Sequence, residues 1–330
     1  MFDFSTITKY LNRQKTNYKL QKNNINSKIS KSTKINFDKE NKQQFDKKFN
    51  EYINRFIDFI NVNPNIDLKL FYENLKGLII KEKRTFNYLF FIKSDTKGQY
   101  DGYDNKILVL REDNFYSIYH ELLHCDSRRI TENEMNVGFH KFVVDEKSAK
   151  ITFNMGKSLN EGYTTLLEKR YFSSINHVQE RGYIIEEFIS LMLEKIVGKE
   201  EMEKFYFSAN LDVLINHLKQ FSNEEDIYSF LTYFDKILVS INKKIKPKEA
   251  EYIYKFIGGF LLKLYVYKLV MLFKNNMINN EIFLESLDDF IRLLSTKSVF
   301  DNKNTYYFLT EDFTDQILDE INEDLDNKQR

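Results

Sequence analysis

Residues Phe115 to Arg129 read FYSIYHELLHCDSRR. Phe115, Ile118, Tyr119, Leu122 and Leu123 recur at helical spacing, so the stretch is expected to form an apolar helix. His120 and His124 stand four residues apart on it, about 40° around the axis, and project from one face. Together His120–His124 spell the H-E-x-x-H pattern, whose two imidazoles share a single zinc ion. Glu121 lies about 100° around the helix from His120. That offset lets its carboxylate reach a water at the metal as a general base without becoming a ligand.

Working outward, the region from Thr85 to Leu110 changes character. TFNYLFFI and KILVL are short β-favouring runs separated by the turn-rich SDTKGQYDGYDN and are expected to pair as strands. Further upstream, Phe45, Phe49, Tyr52, Ile53, Phe56 and Ile60 fit one apolar stripe of a helix that NPN at Asn63 to Asn65 stops. Asp67 then caps a second helix carrying Leu70, Phe71, Leu75 and Leu78. Downstream, VGFHKFVV and AKITFNM read as a hairpin before a helix opening at SLNEGYTTLLEKRYF, with Asn160 or Ser158 as its cap. Beyond Val178 the periodicity is helical, and the acidic tail from Glu311 to Asp326 keeps Phe313, Ile317, Leu318 and Ile321 spaced to dock.

Two histidines need a third protein ligand, which leaves the fourth metal position open. Glu161 is the best candidate because it lies on a separate helix and can approach from across a cleft. Thr165 and Glu168 share its helical face and can orient a ligand from behind. His140, in the hairpin, is the rival. A hydrogen-bonding or cationic group that stabilises the oxyanion is also expected, and Tyr163, Arg170, Tyr171, His177 and Tyr183 are all candidates. Cys125 neighbours a ligand but points away from it, as a packing residue does.

Composition bounds the alternatives. The 330 residues are 42% hydrophobic and 15% aromatic, with only 2 Pro and 10 Gly, so long helices should dominate and an all-β sandwich is excluded. Lys+Arg 49 against Asp+Glu 49 provides no global field toward nucleic acid or an anionic membrane, and no nucleic-acid partner is expected. One cysteine excludes an intrachain disulfide framework and suits a reducing compartment. The N-terminus lacks the apolar run of a secretory signal, so a cytoplasmic location is expected. Tyr252 to Phe273 is long enough to span a bilayer. Lys255, Lys263 and Lys268 would each cost roughly 2.5–3.5 kcal/mol near its centre, so a buried helix is expected there and no membrane span.

HELLH followed by an NEG-type glutamate at a helix start resembles the gluzincin branch of zinc metallopeptidases, over roughly Thr85 to Phe172. Thermolysin-like and aminopeptidase members place their glutamate nearer the second histidine and often follow it with an aspartate four residues on. Here the gap is wider, as in clostridial neurotoxin light chains, and Thr165 occupies that place. A metzincin would need a third histidine soon after the motif, and HELLHCDSRRI has none. The resemblance implies His120, His124 and Glu161 as ligands of one Zn²⁺ per chain and Glu121 as general base. It also implies a zincin-like core whose small antiparallel sheet packs on the HELLH helix and offers its edge to extended substrate.

The expected fold is therefore α+β and predominantly helical, with three parts. Residues 1–35 form a basic, poorly ordered arm, 36–198 the catalytic core, and 199–330 a helical subdomain closing the cleft. The expected activity is zinc-dependent hydrolysis of peptide bonds in a peptide or protein substrate. The alternative is a non-catalytic zincin-fold interaction module, against which an intact Glu121 argues.

Overall fold

A computed structural model describes residues 42–76, 78–83, 98–110, 117–131, 134–145, 150–173, 183–240, 245–301 and 304–327. The expected basic arm, the strand expected at 85–92 and His177 lie outside these residues. Helices dominate, and small sheets complete an α+β fold. The chain divides into two compact units, one of Met1–Glu187 with Glu200–Leu211, the other of Phe188–Lys199 with Asp212–Arg330.

In the first unit, α1 (Lys42–Val62) stops at the expected turn, where the Asn65 backbone N–H donates to Asn63 Oδ1 at 3.0 Å. Asp67 Oδ1 accepts from the backbone of Lys69 and Leu70, both at 3.1 Å, and caps α2 (Leu68–Lys76). The helix expected to include Leu78 ends before it. Ile79 and Ile80, β-branched and suited to a pleated surface, open β1 (Ile79–Lys83) instead.

Strand β1 pairs in parallel with β3 (Lys106–Leu110), and β2 (Gly98–Asp101) pairs antiparallel on the other side of β3. The sheet before the motif is thus mixed, where a purely antiparallel one was expected. The motif helix α3 (Ile118–Asp126) follows. After it come β4 (Arg128–Ile130), β5 (Glu134–Val137), β6 (His140–Asp145) and β7 (Lys150–Met155), antiparallel in sequence order. The expected hairpin is β6–β7. Strands β4 and β5 are too short to leave an alternating signature.

Helix α4 (Lys157–Phe172) begins at Gly156. Gly156 has φ +84°, and a Cβ there would overlap the Phe139 carbonyl oxygen. Ser158 and Asn160 are consequently inside the first turn, and neither is the cap.

Every residue of α3 is buried. The Tyr119 ring lies flat on Phe172 at 4.3 Å and 4°, while Phe56 of α1 stacks on Tyr119 at 6.5 Å and on Phe172 at 5.6 Å. Each buried aromatic contributes about 1.5–3 kcal/mol by burial, and each ring pair about 0.5–1.5 more. This stack pins α3 between α1 and α4. Its C-terminal end is closed by Asn74, whose Nδ2 donates to the carbonyls of Cys125 at 3.0 Å and Arg128 at 2.8 Å. Helix α5 (Ile184–Val197) starts in this unit, and α6 (Lys199–Phe207) lies in it almost entirely.

The second unit holds most of α7 (Leu211–Leu218), then α8 (Glu224–Ser240), α9 (Pro247–Lys274), α10 (Asn280–Thr296), the hairpin β8 (Ser298–Asp301) and β9 (Asn304–Tyr307), and α11 (Glu311–Asn327). Helix α9 is long and apolar enough to cross a membrane by length and composition, and 50% of its most apolar stretch is buried within the protein. Its Lys255 pairs with Glu251 at 3.0 Å, and Lys268 Nζ donates to the Lys195 carbonyl at 2.8 Å. The acidic tail is docked as expected. Phe313 and Ile317 of α11 close on Gly259, where a Cβ would stand 3.2 Å from each.

Candidate metal centre

The first unit brings together three donors from two helices. His120 and His124 come from successive turns of α3, and Glu161 comes from the second turn of α4. Glu161 Oε2 is 3.2 Å from His120 Nε2 and 3.5 Å from His124 Nε2, and one ligand atom from each residue falls within 4.8 Å of the others. Tetrahedral ligands at about 2.0–2.1 Å from an ion stand roughly 3.4 Å apart, so these separations fit one. The His-His-Glu group can hold a metal ion. The histidines are 3% and 4% exposed, whereas the Glu161 side chain keeps 16%, which gives the centre a solvent side.

Groups behind the donors fix their orientation. Glu168, fully buried one turn and a half beyond Glu161 on α4, sets Oε2 3.4 Å from His120 Nδ1. Of the two residues expected behind the ligands, Glu168 takes this place. Thr165 donates instead to the Glu161 carbonyl at 2.9 Å, because its hydroxyl is too short to leave its own helix. Behind His124 Nδ1 stand Asn160 Nδ2 at 3.2 Å and Thr164 Oγ1 at 3.5 Å. Burial pushes the His120 imidazole down, but hydrogen bonds to Glu161 and Glu168 and the Glu121 charge overcome it and raise the group to about 9. Burial alone would raise Glu161. The His124 charge and hydrogen bonds from both imidazoles prevail and hold it well below the usual carboxylate range.

Glu121 is 5% exposed and lies outside the ligand group. Strand β2 reaches it through Gly98, where a Cβ would meet Glu121 Oε1 at 2.8 Å. Only a residue without a side chain lets the strand lie this close to the carboxylate. β2 is also the outer strand of its sheet, with no second partner among the described strands.

The other expected residues sort by position. His140 is held by Asn154, Nε2 to Oδ1 at 2.7 Å, and stands outside the ligand group; burial pushes it down to about 3, so it stays neutral. Tyr163 is fully buried against the rings of Phe139 and Tyr206. Arg170 and Tyr171 both donate to Glu203 Oε1, at 3.0 and 2.7 Å. Tyr183 alone of the described candidates lies on the cluster, its ring parallel to His120 at 6.1 Å and 14°. Cys125 is buried, 3.7 Å from Asn105 Oδ1, and burial pushes its thiol up to about 12, consistent with packing.

Sequence reasoning missed the functional contacts of Asn160 and Thr164, and missed Tyr206 and Glu186 altogether. Tyr206, in KEEMEKFYF, carries no motif, and nothing in its spacing distinguishes it from an ordinary core residue. Its hydroxyl sits 2.7 Å from Thr164 Oγ1, and burial raises its phenol so that it remains a donor. Glu186, 1% exposed in the first turn of α5, is raised to about 7 by burial, with the Glu161 charge adding to the rise. No protein-family model, curated protein or solved structure matches the chain.

Proposed function

We propose that this protein is a zinc-dependent peptidase that hydrolyses peptide bonds with Glu121 as the general base. The observation that carries this reading is the convergence of His120, His124 and Glu161, with a buried carboxylate next in sequence to the first ligand and outside the ligand group. Two imidazoles and one carboxylate suit zinc among the common ions, and three protein ligands leave a position open, as catalytic sites do. Bound there, zinc supplies a Lewis acid that acidifies water and polarises a carbonyl.

The chain's own residues do the rest. Glu121 takes the proton of the attacking water and delivers it to the leaving amine, which balances the reaction without a second base. Glu168 holds the His120 ring through Nδ1. Tyr183 is the candidate that steadies the oxyanion. The free edge of β2 runs beside Glu121 and offers backbone groups to an extended substrate.

The test is Glu121→Gln. The variant should bind zinc as wild type does and keep its helix, yet lose about 10²- to 10⁴-fold in turnover of a peptide library. Equal cleavage by both proteins at matched zinc occupancy would remove Glu121 from the mechanism. A wild type that binds zinc and cleaves no peptide would leave an interaction module as the better reading.

A further inference from the structure

We propose that Tyr206 of α6 is a positioning residue of the metal centre, holding the Thr164 hydroxyl so that it accepts the Nδ1 proton of His124. The inference rests on the metal-binding reading of the His-His-Glu group and adds to it a residue from outside the motif region.

The argument is a count of donors and acceptors. For His124 Nε2 to offer a lone pair to a metal, the ring proton must sit on Nδ1. Asn160 and Thr164 face that nitrogen. The Phe139 backbone N–H donates to Asn160 Oδ1 at 3.2 Å, so the amide turns its NH₂ toward the ring and cannot take a proton from it. Thr164 Oγ1 is the acceptor that remains of the two. Its own proton goes to the Asn160 carbonyl at 2.7 Å. The 2.7 Å contact with Tyr206 must then run from the phenol to Thr164, because the threonine has no second proton to give. Tyr206 thereby fills one lone pair of Oγ1 and keeps the hydroxyl from rotating, which leaves the other lone pair for His124.

The surroundings are built for this approach. Gly138 has φ +54°, and a Cβ there would overlap both Asn160 Oδ1 and the Tyr206 ring. Phe139, Tyr163 and Phe207 surround that ring at centroid distances of 5.6, 5.5 and 5.2 Å. Removing the hydroxyl therefore leaves the ring in place.

The experiment measures zinc affinity of the full chain by competition with a chelator. Tyr206→Phe and Thr164→Val should each weaken binding by about 10-fold, the low end of what is seen when a ligand loses its supporting partner. The double variant should be no weaker than the weaker single one, since both remove one chain of bonds. Thr164→Ser, which keeps the hydroxyl, should stay within about 3-fold of wild type, a difference of roughly 0.65 kcal/mol. In the zinc-loaded protein, ¹⁵N-imidazole spectra should show His124 protonated at Nδ1, with that signal exchange-broadened in Tyr206→Phe.

Wild-type affinity and an unchanged His124 signal in Tyr206→Phe would overturn the proposal and leave the metal reading standing. Thr164→Ser as weak as Thr164→Val would overturn it also, and this pair decides the question should Tyr206→Phe fail to fold. Failure of the wild type to take up zinc would remove the metal reading and this inference together.

Discussion

A buried imidazole held at about 9 must give up a proton before its Nε2 can bind a metal, and this makes metal affinity a function of pH. At pH 7 the proton competes with the ion by about two pH units, or about 100-fold in affinity, near 2.7 kcal/mol. The apparent zinc association constant should therefore rise about tenfold per pH unit from pH 6.5 to 8.5 and level off near 9. The same protonation acts on the metal-free fold. The folded value lies above the unfolded 6.5, so the stabilisation is complete below pH 6.5 and is lost as pH rises through 9. Metal-free protein should thus melt at a lower temperature at pH 9 than at pH 6.5, while zinc-loaded protein should not follow that trend. Chelator competition across pH, corrected for the chelator's own protonation, reads the first effect and calorimetry the second. Glu168→Gln removes one of the groups that raise His120, so its levelling point should shift to lower pH. A zinc affinity that is flat between pH 6.5 and 8.5 in the wild type, or the same levelling point in Glu168→Gln, would refute the reasoning.

Two other outcomes are expected. Glu161→Ala should weaken zinc binding strongly while circular dichroism stays unchanged, and His140→Ala should leave zinc binding alone because Asn154 keeps that ring outside the ligand group; equal affinities in Glu161→Ala and wild type would reassign the third ligand. Glu186 is held neutral by burial up to about pH 7, so its charge opposes folding above that pH and has no such effect below about 4.5. Glu186→Gln should accordingly raise the melting temperature at pH 8 and leave it nearly unchanged at pH 4.5, as scanning calorimetry can check.

How much of this was legible depended on the range of the interaction. The i,i+4 pair of histidines and the cap at Asp67 are written in neighbouring residues, and the structure places both where local spacing puts them. The choice of Glu161 over His140 rested on its helical context, and the carboxylate does stand across from the imidazoles. Strand β1 was misread because Leu78 continues the helical spacing of α2, and only its parallel pairing with Lys106–Leu110 reveals the strand. Asn160 was read as a cap because its residue type favours that role. The start of α4 is set by a left-handed glycine against the Phe139 carbonyl, a contact between segments that no local pattern records. Tyr206 lies 82 positions beyond His124, and its role exists only once α6 packs under α3 and α4.

The path of the backbone around α6 has a further consequence. The chain leaves the first unit after Glu187, returns for Glu200–Leu211, and leaves again at Asp212. All three donors precede the first departure, so a fragment truncated at Glu187 would carry the complete ligand set without the helix that seats His124. Zinc affinity in the intact chain then serves as a reporter of the remote half of the molecule. Any opening that draws on either tether of α6 slackens the centre through covalent connection alone, and amide hydrogen exchange in Glu200–Leu211 should slow when zinc is added.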